Sequence, residues 1–432
     1  MEPNELTLQP IQHISGNIMD LPGSKSISNR VLLLSAMCVG KTTLFNLLSS
    51  DDVKYMLWAL KNINIVYDFN PHQKSYIIHG IGQALSYDQK ISLFLGNAGT
   101  AMRPLLAALS INKNNIILTG EKRMQERPIH HLVDALRQGG ADIEYLKNKN
   151  FPPLIVKGGY IGGAITVDGT ISSQFLSALL IMAPLAEKNT TIKVRGTLVS
   201  KPYINLTIQL MKIFGITIEF CPNYKKFKIL GNQKYITPGS YHIENDTSSA
   251  TYFLAAAAIK GGEVRIEGMK KDSIQGDVRF ADVLYKMGAD ITWQNNSIIC
   301  KKNILNGIKI DCNHIPDAAM TIAMLGLFST TPVYIKNIYN WRVKETDRLY
   351  AMAKELKKVG ANVIEGLDYI IISAPKKFLY AKINTYNDHR IAMCFSLIAL
   401  SGVAVTLLNP SCVNKTFPQY FKLFRSICKY SM

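Results

Sequence analysis

The chain has 432 residues, 47% of them hydrophobic and 19% charged, a balance that excludes a disordered polymer and provides for two or three cores. Lys and Arg number 49 against 31 Asp and Glu, a formal charge of +18. Such an excess points to an anionic substrate, nucleic acid or a membrane surface. The seven cysteines are scattered without a CxxC pair and the eight histidines show no HExxH spacing. Neither a disulfide framework nor a zinc site is expected, and a reducing cytosol is the simplest compartment. The opening Met1-Glu-Pro-Asn-Glu5 is acidic and polar, unlike a signal peptide.

Taken in chain order, the first marked segment is Leu21-Pro-Gly-Ser-Lys-Ser-Ile-Ser-Asn-Arg30, which opens an apolar helix. Backbone N–H groups at a helix start, joined by Lys25, make an anion site as readily as a capped helix with a solvated lysine. Gly40-Lys-Thr42 is no Walker A loop, because Ser35 stands where that motif needs Gly. Leu95-Gly-Asn-Ala-Gly-Thr-Ala-Met-Arg-Pro104 lets the backbone approach a ligand and places Arg103 at a predicted helix start. Glu121-Lys-Arg-Met-Gln-Glu-Arg-Pro-Ile129 reads as a solvated loop, or as an arginine clamp for a carboxylate or phosphate. Asp168–Phe175 and Val199–Tyr203 lead helices with hydroxyl and amide side chains, suited to caps, polyols or phosphates.

Further on, His314-Ile-Pro-Asp-Ala-Ala-Met320 puts Asp317 at a predicted helix start, as a cap or as a buried general base. Lys344 and Arg348 are four apart, predicting one helical face with Glu345 beside them. Tyr386–Ile391 sets Arg390 at the head of an apolar helix, and Lys415 is predicted at another helix start. Cations at so many helix N-termini defy the dipole preference unless an anion is held there.

A helix, a Gly or Asn turn and a short alternating strand recur at Ala59–Tyr67, Ala135–Tyr145, Met211–Glu219, Leu284–Thr292 and Leu356–Ile364. With a C-terminal helix predicted over Lys415–Ser426, six units are expected, three in each of two domains. Ser248–Ile259 and Ala318–Phe328 are apolar all round and are predicted to be inward helices. Ile391–Leu408 carries no charge, but Gly402 divides a predicted helix from a β-branched strand, so a buried pair is favoured over a membrane span. Turns at Leu21–Ser24 and Thr237–Ser240 are the candidate crossings, giving one domain of 1–23 plus 241–432 and another of 24–240. The fold class is α/β (α+β).

The motifs PGSKSISNR, LGNAGTAMRP, RMQERPI, DGTISSQF, VSKPY, HIPDAAMTIA, NWRVKETDRL, YNDHRIAMCFSL and NKTFP, in that order, resemble those of the EPSP synthases (3-phosphoshikimate 1-carboxyvinyltransferases), with greatest similarity to the bacterial, glyphosate-sensitive type. The resemblance runs from about Leu6 to the C-terminal helix. It implies two similar domains, each of three βαβαββ-like units with inward helices (the inside-out α/β barrel of enolpyruvyl transferases), with the active site in the cleft. It implies shikimate 3-phosphate binding by Lys25, Ser26, Arg30, Ser172, Ser173, Gln174, Ser200, Tyr203, Asp317, Asn340 and Lys344. Phosphoenolpyruvate would be held by Lys25, Asn97, Gly99, Arg127, Gln174, Arg348, Arg390 and Lys415.

On the same basis the domain of 24–240 would be the shikimate 3-phosphate side. The other would be the phosphoenolpyruvate and acid/base side, with Asp317, Glu345 and Lys25 as the catalytic groups. No metal or organic cofactor, nucleic acid or membrane partner is implied, and a cytoplasmic monomer is expected. Asn245 and Asn205 depart from the Gly and Asp expected there. The sister UDP-N-acetylglucosamine enolpyruvyl transferases use a loop cysteine that Glu121–His131 lacks. A nucleic-acid binder would carry its cations in a stripe with exposed aromatics, whereas these precede apolar helices.

Overall fold

The computed structural model describes residues 4–430, so Met1-Glu-Pro of the opening segment lies outside it. The chain divides into two compact units: Gly23–Ile243, and the stretches up to Pro22 and from Glu244 onward.

The clearest copy of the repeated module lies in Gly23–Ile243. It runs strand Tyr87–Phe94, helix Gly99–Ala108, strand Asn114–Thr119, helix His130–Gln138, then strands Asp142–Tyr145 and Leu154–Gly158. The first two strands are parallel and the last two join antiparallel, giving βαβαββ. Leu118 stands between Leu93 and Leu154 in register, and all three are buried. Such a row is worth about 1.5–3 kcal/mol per side chain removed from water. The two helices differ as their sequences demand. Gly99–Ala108 is buried on nearly every side and lies inside, while His130–Gln138 buries only Leu132, Val133, Ala135 and Leu136 and lies outside.

Gly163–Ile229 repeats the module with the inner helix Ser173–Met182. The remaining copy begins at the inner helix Lys25–Met37 and borrows its parallel strand, Ser240–His242, from the far end of the unit. That pairing carries the second crossing to Ile243/Glu244, beyond the Thr237–Ser240 turn.

The other unit uses the same plan. Strand Gly16–Ile18, left behind before the first crossing, is the parallel partner of Glu263–Glu267, and Ile266 sits in register between Ile18 and Ile298. Its inner helices are Thr247–Lys260, Ala319–Leu325 and His389–Ser396. The N-terminal strand Glu5–Leu8 completes the last sheet beside Val405–Leu408, and His13–Ile14 pairs with Cys428–Lys429. The sheets are separate and open rather than one closed barrel.

Several predicted elements shift. The helix predicted over Lys415–Ser426 is a 3₁₀ turn, Pro410–Lys415, followed by a helix only from Tyr420. Pro418 lacks an N–H and disfavours helical backbone at Phe417. The helix Gly99–Ala108 starts four residues before Arg103, so Pro104 lies inside it. Ala318–Phe328 is helical only over Ala319–Leu325. Ile391–Leu408 forms the end of a helix, a 3₁₀ turn to Ser401 and a strand from Val405, and no described helix is long and apolar enough to cross a membrane.

The repeated turns all reach positive φ, at Asn64, Gly140, Gly215, Gly288 and Gly360. Gly288 (φ 108°) ends the helix Phe280–Met287, and a Cβ there would lie 2.5 Å from the carbonyl oxygen of Ile304. Gly402 (φ 88°) has nothing within 4 Å of such a Cβ. Gly402→Ala should therefore cost only the left-handed backbone term, roughly 1–2 kcal/mol. Gly288→Ala adds a steric clash and should lower the melting temperature clearly more. Equal losses in thermal unfolding would contradict the packing at Ile304.

Candidate active site

The first four N–H groups of a helix have no intrahelical partner, and most of the inner helices carry polar residues at or just before their starts. In Gly23–Ile243, side chains tie these openings together. Lys25 begins its helix, and its ammonium lies 3.1 Å from the buried Asp52 carboxylate. Thr100, in the first turn of Gly99–Ala108, donates to Asp52 at 3.4 Å and accepts from Asn29 at 2.7 Å. Arg30 is buried and donates Nε to Thr207 Oγ1 (2.9 Å), Nη1 to the Ser26 carbonyl (2.9 Å) and Nη2 to Ser177 Oγ (3.3 Å). These partners are uncharged. Burial accordingly lowers the Arg30 pKa to about 10, with Tyr203 opposing, and the group stays protonated at neutral pH.

Ser172 caps Ser173–Met182 by accepting the Gln174 N–H at 3.2 Å, so the capping reading holds there. Gln174 Oε1 accepts from Arg103 Nη1 at 2.6 Å, and Arg103 also lies over the Phe175 ring. Ser173 is buried beside the cap, and Ser200, with φ 55°, stands at the N-cap position of the helix that carries Tyr203 in its first turn. Arg127 is buried in an extended segment and donates Nη1 to the Asn97 carbonyl (3.1 Å) and side chain (2.9 Å). A Cβ on Gly99 would fall 2.3 Å from Arg103 Nη1 and 2.8 Å from Arg127 Nη2. Glycine is what lets two guanidinium groups lie over that helix start.

The other unit gathers its charges around Asp317. Arg348 Nη1 reaches Asp317 Oδ1 at 3.0 Å, Arg390 Nη2 reaches Oδ2 at 3.1 Å, and Lys344 Nζ lies 3.8 Å away. Glu345 pairs with Arg348 at 2.8 Å. Arg348 also grips Asp388 through Nε (2.8 Å) and Nη2 (3.2 Å), and Asp388 caps His389–Ser396 by accepting the Arg390 N–H at 2.9 Å. Arg390 Nη1 donates to Tyr252 at 3.3 Å. Burial pushes the Asp317 carboxyl up, but Arg390, Lys344 and Arg348 outweigh it and hold it well below the carboxylate range, against Glu345.

Sequence spacing misplaced some of these groups. Lys344 and Arg348 do not share a helical face: Lys344 ends the 3₁₀ turn Tyr339–Val343, and Arg348 starts a helix capped by Asp347. Both nonetheless reach Asp317, through tertiary packing rather than helical spacing. Asp317 is not a cap, since Ala318 occupies that place. Lys415 closes a 3₁₀ turn packed on the helix of Arg390. Of the cations Lys25, Arg30, Arg103, Arg127, Lys344, Arg348, Arg390 and Lys415, expected at or near helix starts, Lys25, Arg348 and Arg390 occupy first or second helical positions, while Arg30 and Arg103 lie a turn further in. Asn340 is buried in the 3₁₀ turn, whose Trp341 donates its indole N–H to the Pro316 carbonyl at 2.7 Å.

Asp52, Trp341 and Asp388 are not site residues in the sequence reading, and Arg103 is noted there among the helix-start cations without a substrate assignment. Asp52 had a signal: it lies four residues before Met56, on the apolar stripe of its helix.

A family model described as EPSP synthase (3-phosphoshikimate 1-carboxyvinyltransferase) matches residues 8–424. The chain belongs to the EPSP synthase family. It is 66% identical, over 99% of this chain and 98% of the relative, to the 3-phosphoshikimate 1-carboxyvinyltransferase of Buchnera aphidicola subsp. Cinara cedri. The enzyme of that name from Photorhabdus laumondii is 59% identical over 96% of this chain and 97% of its own. An EPSP synthase structure from Acinetobacter baumannii superposes with a TM-score of 0.81 at 26% identity, covering 98% of each chain.

Within this EPSP synthase fold the two departures are accommodated locally. Asn245 donates to the Glu267 carbonyl at 3.2 Å, and Asn205 accepts from Tyr224 at 2.7 Å. A further acid is buried near Asp317. Asp277 accepts from Ser248, and burial, then Asp317, raises its pKa from 3.8 to about 7, with Ser248 and Arg390 opposing and Asp246 adding. A raised carboxyl binds its proton more tightly in the folded state, so stability falls as pH rises from about 4 through about 7. Asp277→Asn should flatten the fall in melting temperature between about pH 5 and 8 and raise its value at the upper end. Superposable melting profiles would show that Asp277 is not strained by its charge.

Proposed function

We propose that the chain transfers the enolpyruvyl group of phosphoenolpyruvate to the 5-hydroxyl of shikimate 3-phosphate, giving 5-enolpyruvylshikimate 3-phosphate and phosphate. It would thereby serve the shikimate pathway to chorismate and the aromatic amino acids. The observation that carries this reading is a carboxylate, Asp317, held among Arg348, Arg390 and Lys344 in a member of the EPSP synthase family. Lys25, Ser26, Arg30, Ser172, Ser173, Gln174, Ser200, Tyr203, Asn340 and Lys344 bind shikimate 3-phosphate in this proposal. Asn97, Gly99, Arg127, Arg348, Arg390 and Lys415, with Lys25 and Gln174, bind phosphoenolpyruvate. Arg30 supports the assignment, because a buried guanidinium with uncharged partners keeps a full charge for a phosphate.

The chemistry is addition and elimination. Asp317 takes the proton of the 5-hydroxyl, whose oxygen adds to C2 of phosphoenolpyruvate while Glu345 or Lys25 protonates C3. The tetrahedral ketal phosphate then loses phosphate as C3 gives its proton back. Asp317 is a poor base while three cations hold it ionised. Substrate phosphates and carboxylates compete for those same cations, and each one they engage makes Asp317 more basic. The base is thus armed by the substrates. The reaction needs no metal or organic cofactor. The protein acts as a cytoplasmic monomer of the glyphosate-sensitive type, with no nucleic-acid or membrane partner.

The decisive experiment is phosphate release, which should require both substrates together. Release from phosphoenolpyruvate alone, or none, would overturn the proposal. Asp317→Asn keeps the shape of the side chain while removing its charge, and should lower kcat by roughly 10²–10⁴-fold. Near-normal turnover in that variant would exclude Asp317 as the base.

Glyphosate should compete with phosphoenolpyruvate. Gly99→Ala should weaken the inhibition, because the methyl displaces the movable ends of Arg103 and Arg127, and should raise the KM for phosphoenolpyruvate in the same protein. Inhibition constants measured for both proteins check this. An unchanged pair would remove Gly99 from the pocket.

A further inference from the structure

The segment before Asp388 is held in a costly conformation. Tyr386 and Asn387 both have a φ of 53°. Two successive left-handed residues without a glycine persist only where their surroundings enforce them. The enforcing group is Glu355, wholly buried on the helix that begins with Arg348. Its Oε1 accepts the Tyr386 hydroxyl at 2.8 Å, and its Oε2 accepts the Asn384 N–H at 3.0 Å and the Lys358 ammonium at 2.6 Å. Burial, then the bond to Glu355, holds the Tyr386 phenol well above its ordinary pKa, so the proton it donates stays in place.

The rest of the turn is also tied down. Asn384 Oδ1 accepts the Tyr386 N–H at 2.8 Å, Thr385 donates to the Leu408 carbonyl at 2.8 Å, and Asn387 Oδ1 accepts from Asn409 at 3.1 Å. The residues that follow are Asp388, which grips Arg348, and Arg390, which grips Asp317. One helix therefore holds this segment at two places, Arg348 on Asp388 and, two turns later, Glu355 on Tyr386 and Asn384.

We propose that Glu355, acting through Tyr386, is a positioning residue that fixes the direction in which Arg390 is presented to phosphoenolpyruvate. The inference rests on the enolpyruvyl-transfer reading and assigns no contact between Glu355 and substrate. A guanidinium displaced by a fraction of an ångström loses paired hydrogen bonds to a carboxylate or phosphate, which appears in the KM of that substrate.

The test is steady-state kinetics on the full chain with both substrates varied. Tyr386→Phe removes one hydroxyl and should raise the KM for phosphoenolpyruvate about fivefold. Glu355→Gln, which leaves one acceptor oxygen where two serve the Tyr386 hydroxyl, the Asn384 N–H and the Lys358 ammonium, should raise it about twentyfold. The KM for shikimate 3-phosphate should stay within about twofold, because general loosening of the fold has no reason to single out one substrate. Should Glu355→Gln fail to fold, Tyr386→Phe alone decides. An active wild type with an unchanged phosphoenolpyruvate KM in Tyr386→Phe, or with both KM values raised equally, overturns the positioning role. A wild type without two-substrate phosphate release overturns the reaction itself, and this role with it.

Discussion

A carboxylate surrounded by three cations governs this molecule. Asp317 contacts Arg348 and Arg390 and lies near Lys344, and Arg348 in turn contacts Glu345 and Asp388. Three cations against three carboxylates is close to balance, so the cluster can be buried without a ruinous desolvation cost. Balance also makes it responsive. Any anion that claims Arg390 or Lys344 leaves Asp317 less neutralised and more basic, so in the proposed reaction binding and proton transfer would be coupled through one set of charges. A site with only cations would bind anions but would hold no base.

The fold supplies the precision that such coupling needs. Each unit packs its inner helices together, and polar residues at and within two turns of their starts meet side chain to side chain: Asn29 with Thr100, Arg103 with Gln174, Arg390 with Asp317 and with Tyr252. The central strand of a module, as Leu118 and Ile266 show, is held in register by a partner on each side. The parallel strands Ser240–His242 and Gly16–Ile18 let one module in each unit complete a four-stranded sheet although the chain passes twice between the units. Repetition thus places three helix openings in each unit with similar surroundings, and sequence differences at those openings give them different chemistry.

How much of this was legible beforehand depends on the range of the interaction. The helix–turn–strand repeats are local, and the positive-φ turns from Asn64 to Gly360 stand where the pattern set them. The inner helices were recognisable because Thr247–Lys260 is apolar on all faces. Boundaries governed by nonlocal pairing were not: Ser240–His242 belongs to a sheet because of Val39–Phe45, some two hundred residues earlier. Lys344 and Arg348 were assigned one helical face, whereas a 3₁₀ turn and an Asp347 cap separate them. Asp388 was hidden for a related reason. Within Tyr386–Ile391 it reads as an ordinary helix cap, and only the tertiary approach of Arg348 shows that one carboxylate serves both the cap and the cluster.

The charge of the chain illustrates the same distinction between composition and placement. The excess of +18 by itself points to an anionic partner. Yet Arg30, Arg103, Arg127, Arg348 and Arg390 are all buried, each held by named hydrogen bonds. Exposed lysines act over a Debye length and raise the local concentration of any anion, without regard to its shape. Buried guanidinium groups act at contact, in directions set by Thr207, Gln174, Asn97, Asp388 and Asp317, and discriminate by geometry. Arg348 and Arg390 can be held so closely only because carboxylates of the same unit carry their charge until an anionic ligand arrives, so their selectivity depends on the very acid that would act as the base.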